Sequence, residues 1–540
     1  MTEPADLRTA VLVVGGGTTG LSAALFLARQ GIDVLLVERH PSTAIMPQAR
    51  AFNPRTIELY RPLGLEAKIR ERTSILAELP EMIGAETLAG EERFRVDVLD
   101  QVRPSAGLSP TDWALIDQDE LERVLRESAE DNGVDVRFAT ELVSLDQTAD
   151  GVRAVVRDLG SGDEYGIRAD YLIAADGHRA GIRHRLGIEV DQIGPTRYSA
   201  HFLFEADLTV PLRGRRFLLA YLDRPTTGTV LVPMQDFGRW MLASPYDPEG
   251  RDSPEDFTEQ RCVEMARAAI GDPDLELALV PPVPGWPDKV SHTKNGAWIA
   301  RRYRAGRVFF AGDAAHVFPP AGSYGASTGI ADAHNLAWKL AAVLDGRAGE
   351  ALLDTYEPER RPVAETTLRT AIQLLTSRQR GDGAESEEID DLTMIFGYRY
   401  GSGAVLTEPS TPDSPVEDPR RPSGRPGLRA PHVWLDRAGE HLSTVDLFDG
   451  AFTLLAGQDG AEWRAAAEKA AAAIGVDLRV HHVGAELGDP ENCFTDAYGI
   501  TGTGATLVRP DGFVAWRAKV QPPEPERELR QALTAVLARS

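Results

Sequence analysis

The feature that most constrains this chain is Gly15-Gly16-Gly17-Thr18-Thr19-Gly20, a G-x-G-x-x-G turn between an apolar run, Ala10 to Val14, and a helix-patterned stretch. Leu21, Ala24, Leu25 and Ala28 fall at i, i+3, i+4 and i+7, one face of a helix that Gly31 ends. The first glycine makes the tight turn, the second lets backbone approach a pyrophosphate, and the third lets helix and strand pack closely. The helix N-terminus then attracts the anion. Val34 to Val37 reads as the next buried strand. Glu38 closes it 18 residues after Gly20, placed to accept a hydrogen bond from a ribose hydroxyl. Together these elements predict an α/β dinucleotide site, against the alternative of a glycine turn needed only for packing. The turn does not choose between NAD and FAD.

The remaining chain is long enough for roughly three domains. From Tyr198 to Trp298 the pattern alternates as strands do: Ala200, Phe202 and Phe204 share one face, His201 and Leu203 the other. This segment also holds Phe217, Tyr221, Phe237, Trp240, Trp286 and Trp298, in a chain with only 7% aromatic residues. A sheet lining a flat apolar cavity reads this way, and so does an ordinary sheet core. Six prolines between Glu408 and Pro426 mark a linker unable to sustain helix or central strand. Beyond it, from about His432, strands and helices resume in a length sufficient for a separate domain.

Composition supplies exclusions. With 82 acidic against 58 basic residues, the net charge of -24 argues against nucleic acid or an anionic membrane surface as partner. Cys262 and Cys493 are too few for a disulfide framework, the N-terminus lacks the basic start of a signal peptide, and no run approaches the ~18 apolar residues of a membrane span. These features predict a soluble cytoplasmic protein. His316, His481 and His482 lack partners at ligand spacing, so no metal site is expected. Gly325-Ala326-Ser327-Thr328-Gly329 matches the G-x-S-x-G nucleophile elbow, but a proline- and glycine-rich loop precedes it where that motif requires a strand. A hydrolase is set aside.

Two further motifs choose FAD. Val308 to Phe310 is a buried strand running out into Gly312-Asp313, followed by a loop from Phe318 to Ile330 and a helix, and Ala174 to Arg183 contains Ala175-Asp176-Gly177. With the glycine turn, these resemble the FAD-dependent aromatic hydroxylases, the group A flavoprotein monooxygenases of the para-hydroxybenzoate hydroxylase type. The stretch Pro47 to Glu58, Gln118 to Glu122, Leu352 to Pro362, Ser423 to His432 and Leu507 to Arg517 are similar to the bacterial aromatic-polyketide hydroxylases within that family.

The resemblance implies a Rossmann-like FAD-binding domain, an inserted and mostly antiparallel β-sheet substrate domain, and a C-terminal thioredoxin-like domain. The expected boundaries are 1–190 and 291–400 for the two parts of the FAD domain and its connecting helices. The substrate sheet is expected at 191–290, the linker at 401–430 and the third domain at 431–540. That third domain has no C-x-x-C, so redox exchange by it is excluded and packing or a homodimer contact is expected. The implied activity is hydroxylation of a polycyclic aromatic polyketide in antibiotic biosynthesis. NADPH or NADH serves as transient reductant, and O2 reacts through a flavin C4a-hydroperoxide. Baeyer–Villiger insertion or oxidative rearrangement on a related polyketide is the alternative, and a non-catalytic flavin- or drug-binding protein a third.

For FAD the resemblance points to Gly15, Gly17, Thr19, Gly20, Glu38, Arg39, Arg50, Gln118, Asp176, Gly312, Asp313, Pro320, Gly322, Gly325, Ala326 and Ser327. Asp176 reads equally well as organising its own turn. Arg50, Tyr221 and Tyr324 are the catalytic candidates, the tyrosines by polarising a substrate hydroxyl. Phe202, Tyr221, Met234, Trp240 and Pro320 are the substrate candidates. Arg55 is either a guide for the cofactor or a buried cation paired with Glu58, and Arg378 and Arg380 either face an anionic substrate or are solvated. The chain departs from the family pattern at Gln48, Ala180, Ser323 and Ser327.

Overall fold

The computed structural model describes residues 6–43, 49–72, 79–97, 107–234, 237–248, 252–281, 288–319, 322–380, 389–409 and 414–539, excluding the side chains of Asn295 and of residues 377–380. An eight-stranded sheet is built around five parallel strands in the order Val308–Phe310, Glu164–Ala174, Leu7–Val14, Val34–Val37, Asp135–Arg137. Val14 is level with Val37 and Ala174, and Ala174 with Phe310. The loops opening at Gly15, Glu38, Ala175 and Ala311 therefore leave neighbouring strands at one edge. Ligands of open α/β sheets bind at that carboxyl edge. The strand carrying Val308 returns to this sheet only after the inserted domain, so the dinucleotide domain is discontinuous.

The inserted sheet has nine strands, centred on the long strand Val190–Glu205. It extends beyond the expected 191–290, because Glu81–Ala85 and Glu92–Asp97 add to one edge while Val290–Ala300 and His316–Val317 complete the other. One face packs on the helix Glu259–Ile270. The third unit is a four-stranded sheet in the order Leu478–His482, Phe452–Ala456, Ala505–Val508, Val514–Ala518. Its first pair is parallel and the others antiparallel, with the helices Glu462–Ile474 and Pro525–Val536 packed together, as in a thioredoxin fold.

The end of the expected linker is no solvated tether. Gly427, Leu428, Arg429 and Ala430 are buried, and Arg429 holds buried Glu58 of the first domain at 3.0 Å. Among the described residues no helix is long and apolar enough to cross a membrane.

Candidate flavin and substrate site

The glycine turn has the geometry its spacing demands. Gly15 has φ +116°, and a Cβ there would lie 2.1 Å from the Ala175 carbonyl oxygen. A Cβ on Gly20 would lie 1.9 Å from the Gly15 carbonyl oxygen, whereas one on Gly17 would meet only Glu122 Oε1, at 3.6 Å. Position 17 is thus the open side of the cradle. Thr19 joins the two halves of the site: Cβ atoms on Gly312 (φ +60°) and Gly329 would lie 2.5 and 2.4 Å from its Oγ1. This contact explains the G-x-S-x-G coincidence. Gly329 lets the helix Tyr324–Leu344 approach the helix Thr18–Ala28, and Ser327 is a buried residue of that helix, its Oγ without a hydrogen-bond partner.

Glu38 accepts hydrogen bonds from the Gly16 amide (2.7 Å) and from the His40 amide (2.8 Å). Burial would raise its pKa, but His40 and these amides outweigh it and hold it below the ordinary value. Arg39 beside it is exposed. Glu122, which the sequence reading left without a role, accepts from the Thr18 amide at 3.0 Å and from Gln118 Nε2 at 2.8 Å. Gln118 also accepts from the Ala49 amide, which sets the backbone leading into Arg50 beside the glycine turn.

Asp313 is half-buried, and its carboxylate takes no hydrogen bond among the described residues. Burial pushes its pKa up, opposed only by His316 and His178. Its turn is held from behind by Asp332, whose Oδ2 accepts from the Gly312 amide (3.1 Å) and contacts His316 Nε2 (2.6 Å), while Oδ1 takes the Arg360 guanidinium (2.7 Å). Asp332 leaves no signal in the sequence, because a lone acid on an apolar helix carries no motif; Arg360 lies in the Leu352 to Pro362 stretch, which does not name its partner. Asp176 accepts from the Ile182 amide at 2.9 Å, so it does cap its own turn; its other oxygen is buried without a partner, and burial raises its pKa.

Other sequence candidates separate by face. Phe202 and Trp240 are 2% and 0% exposed and lie in the core between the sheet and the helix Glu259–Ile270. Substrate contact by these two is therefore corrected: period-two alternation turns them away from the face carrying His201, Leu203, Tyr221, Val230, Val232, Met241 and Ala243. Met234 continues that opposite face, and Arg50 Nη2 approaches its sulfur to 3.9 Å, so the flavin domain meets the sheet there. Arg50 lies 3.7 Å from Asp117, and burial lowers its pKa. Tyr221 is half-buried, and its hydroxyl has no hydrogen-bond partner among the described residues.

Tyr324 is turned from a catalytic position, its ring packed with Ala371 and Met394 and its hydroxyl donating to Asp391. Arg55 is a buried structural cation, 2.9 Å from both Glu58 and the Asp511 carbonyl oxygen. Gly322, Gly325 and Ala326 border the turn into the helix Tyr324–Leu344. Pro320, Pro47 and Gln48, and the side chains of Arg378 and Arg380, lie outside the described residues.

An open glycine cradle, a carboxylate closing the second strand and an unpaired carboxylate on the neighbouring turn fit a flavin dinucleotide. The FAD binding domain family model matches residues 8–371, and the C-terminal model of the aromatic-ring hydroxylases matches residues 423–540. The chain belongs to the FAD-dependent aromatic-ring hydroxylase family. It is 42% identical to the tetracenomycin A2 monooxygenase-dioxygenase of Streptomyces glaucescens, over 98% of this chain and 97% of that protein. It is 43% identical to the 4-methyl-5-nitrocatechol 5-monooxygenase of a Burkholderia species, over 99% of each chain. Among solved structures, a ternary complex of aklavinone-11 hydroxylase with FAD and aklavinone superimposes with TM-score 0.89 at 40% identity, covering 99% of this chain and 100% of that one.

Proposed function

We propose that the protein is an FAD-dependent monooxygenase hydroxylating a polycyclic aromatic polyketide of antibiotic biosynthesis. The observation that carries the substrate class is the second face of the inserted sheet, a broad apolar floor of half-buried Val230, Met241 and Ala243 and buried Leu203 and Val232, with the Tyr221 hydroxyl at its border. Such a floor suits a flat apolar ring system better than a single charged ring. It also excludes water, which aromatic oxygenation needs. FAD, when bound, supplies reduction by NADPH or NADH and activation of O2 for transfer to an electron-rich ring.

The chain's own residues do the rest. Gly15 and Gly20 hold the turn and its packing while Gly17 admits the pyrophosphate, Glu38 accepts from a ribose hydroxyl, and Asp313 accepts from the polyol chain of the cofactor. Arg50 places a positive charge where the flavin domain meets the sheet, and Tyr221 offers a hydroxyl to a substrate oxygen. A second reading, insertion of more than one oxygen atom, is favoured by the tetracenomycin relative, whose name joins monooxygenase and dioxygenase.

The test is reduced-cofactor oxidation and product mass under ¹⁸O₂, with aklavinone and with 4-methyl-5-nitrocatechol. Substrate-stimulated oxidation and one labelled oxygen in the polycycle support the proposal. Two labelled oxygens support the second reading. Turnover of the one-ring catechol alone refutes the polycyclic assignment.

A further inference from the structure

Within the substrate face, two polar side chains stand apart from the floor. His201 pairs across the sheet with Ala243, Ala243 with Val230, and Val230 with Tyr221, so all four lie in one cross-strand row. The next row on the same face is Leu203, Met241 and Val232, apolar throughout. His201 and Tyr221 are three strand spacings apart, about 14 Å at ~4.8 Å per spacing. That separation is comparable with the long axis of a fused aromatic tetracycle. Both ends can still form hydrogen bonds: the Tyr221 hydroxyl has no partner among the described residues, and His201 commits only Nε2, to Thr293 Oγ1 at 2.9 Å.

Thr293 belongs to the adjoining strand and fixes the imidazole without consuming Nδ1. Burial, with a smaller contribution from His292, pushes the His201 pKa down to about 4. The ring is therefore neutral at physiological pH, able to pair with a phenol or quinone oxygen without carrying a charge into the apolar face.

We propose that His201 is a specificity-determining residue. Its Nδ1 hydrogen-bonds an oxygen substituent at one end of a planar polycyclic substrate whose other end meets Tyr221, and this fixes which ring carbon is presented for oxygenation. The inference rests on the polycyclic reading above and goes beyond it by naming the group that sets substrate orientation. Phe202 and Trp240 take no part in it, because they lie on the other face.

The test uses FAD-loaded enzyme, aklavinone, and two analogues of the same ring system, each lacking the oxygen at one end of the long axis. Wild-type enzyme should bind one analogue about tenfold more weakly than aklavinone through its His201 end, the loss expected for one hydrogen bond. His201→Leu should raise the KM for aklavinone about tenfold, bind that analogue as wild type does, and distribute the new oxygen over more than one position. Its bound FAD should be unchanged, and His201→Gln should restore the single product.

A wild-type KM and a single product in His201→Leu would overturn the inference while leaving the polycyclic reading intact. If His201→Leu loses FAD, the wild-type comparison decides, and equal binding of aklavinone and both analogues overturns it. Turnover of 4-methyl-5-nitrocatechol alone removes both.

Discussion

Asp313 and Asp332 flank the same turn, yet their surroundings are opposite. Asp313 has no hydrogen-bond partner among the described residues, and burial pushes its pKa up. Asp332 is more deeply enclosed, but His316, Arg360 and the Gly312 amide surround it, and its pKa falls below the ordinary carboxylate value despite burial. The contrast extends outward from each. Around Asp332 lies a closed ionic cluster in which Glu359 accepts from Lys339 (2.7 Å) and Arg509 (2.6 Å), and Arg509 also binds Asp511. Asp313 has no comparable network among the described residues. Open carboxylates identify where a ligand completes the structure; closed ones hold the surrounding elements together.

The largest effect should come from breaking the closed side. Arg509→Met leaves Glu359 and Asp511 short of a buried cation, and removing one partner of such a set costs about 3–5 kcal/mol. Urea unfolding of the apoprotein should show that loss; a change below about 1 kcal/mol would mean that the cluster does not join the third domain to the first.

This cluster, together with Glu58 and its partners Arg55 and Arg429, sets acid stability. Glu359, Asp332 and Glu58 all have depressed pKa values in the fold. The unfolded chain therefore binds protons first as pH falls. Their contribution is complete above the unfolded Glu value of about 4.5 and disappears as pH falls through the folded values. Arg509→Met should flatten the acid limb of stability against pH.

Next comes the open side. Asp313→Asn should weaken FAD binding by roughly 10- to 100-fold, the worth of a charge-assisted hydrogen bond. Apoprotein stability near pH 7 should be unchanged or slightly higher, since a carboxylate costly to bury is gone. Hydroxyl donors from the cofactor favour the ionised form of Asp313, so wild-type FAD affinity should tighten as pH rises through the Asp313 titration and Asp313→Asn should lack that slope. Equal FAD affinity in the two proteins, by fluorescence titration, would abolish the distinction between the two aspartates.

What was legible in the sequence follows the same division. Gly15, Gly20 and Glu38 could be read because a turn that must approach a dinucleotide leaves a local spacing, and Asp313 because its Gly312-Asp313 motif resembles that of the flavoprotein hydroxylases. Asp332 could not, and the roles of Arg360 and Glu122 within their motifs could not, because Arg360 reaches Asp332 and Glu122 reaches the Thr18 amide across segments that no local spacing connects. The inserted sheet shows a subtler limit. Alternation placed Phe202 and Phe204 on one face correctly, but periodicity does not tell which face a helix will cover, and the aromatic side proved to be the covered one. In the proline-rich segment composition predicted irregular backbone, which is present. It could not foresee that Arg429, just beyond that segment's last proline, would be buried against Glu58.

The smallest effect probes the loop between the two aspartates. Ser323 sits in the left-handed region at φ +54°, a conformation that glycine occupies freely and an L side chain does not. It is exposed and caps the helix Tyr324–Leu344 without a side-chain hydrogen bond, so no contact among the described residues repays the strain. Ser323→Gly should therefore stabilise the native backbone by up to about 1 kcal/mol, offset in part by the larger unfolded-state freedom of glycine. Because the residue borders the open side, the variant should leave the acid limb of stability untouched while changing the rate of FAD association. A shift in the acid limb would show that loop and cluster are coupled through the helix Tyr324–Leu344, and that the two aspartates do not act as separate regions.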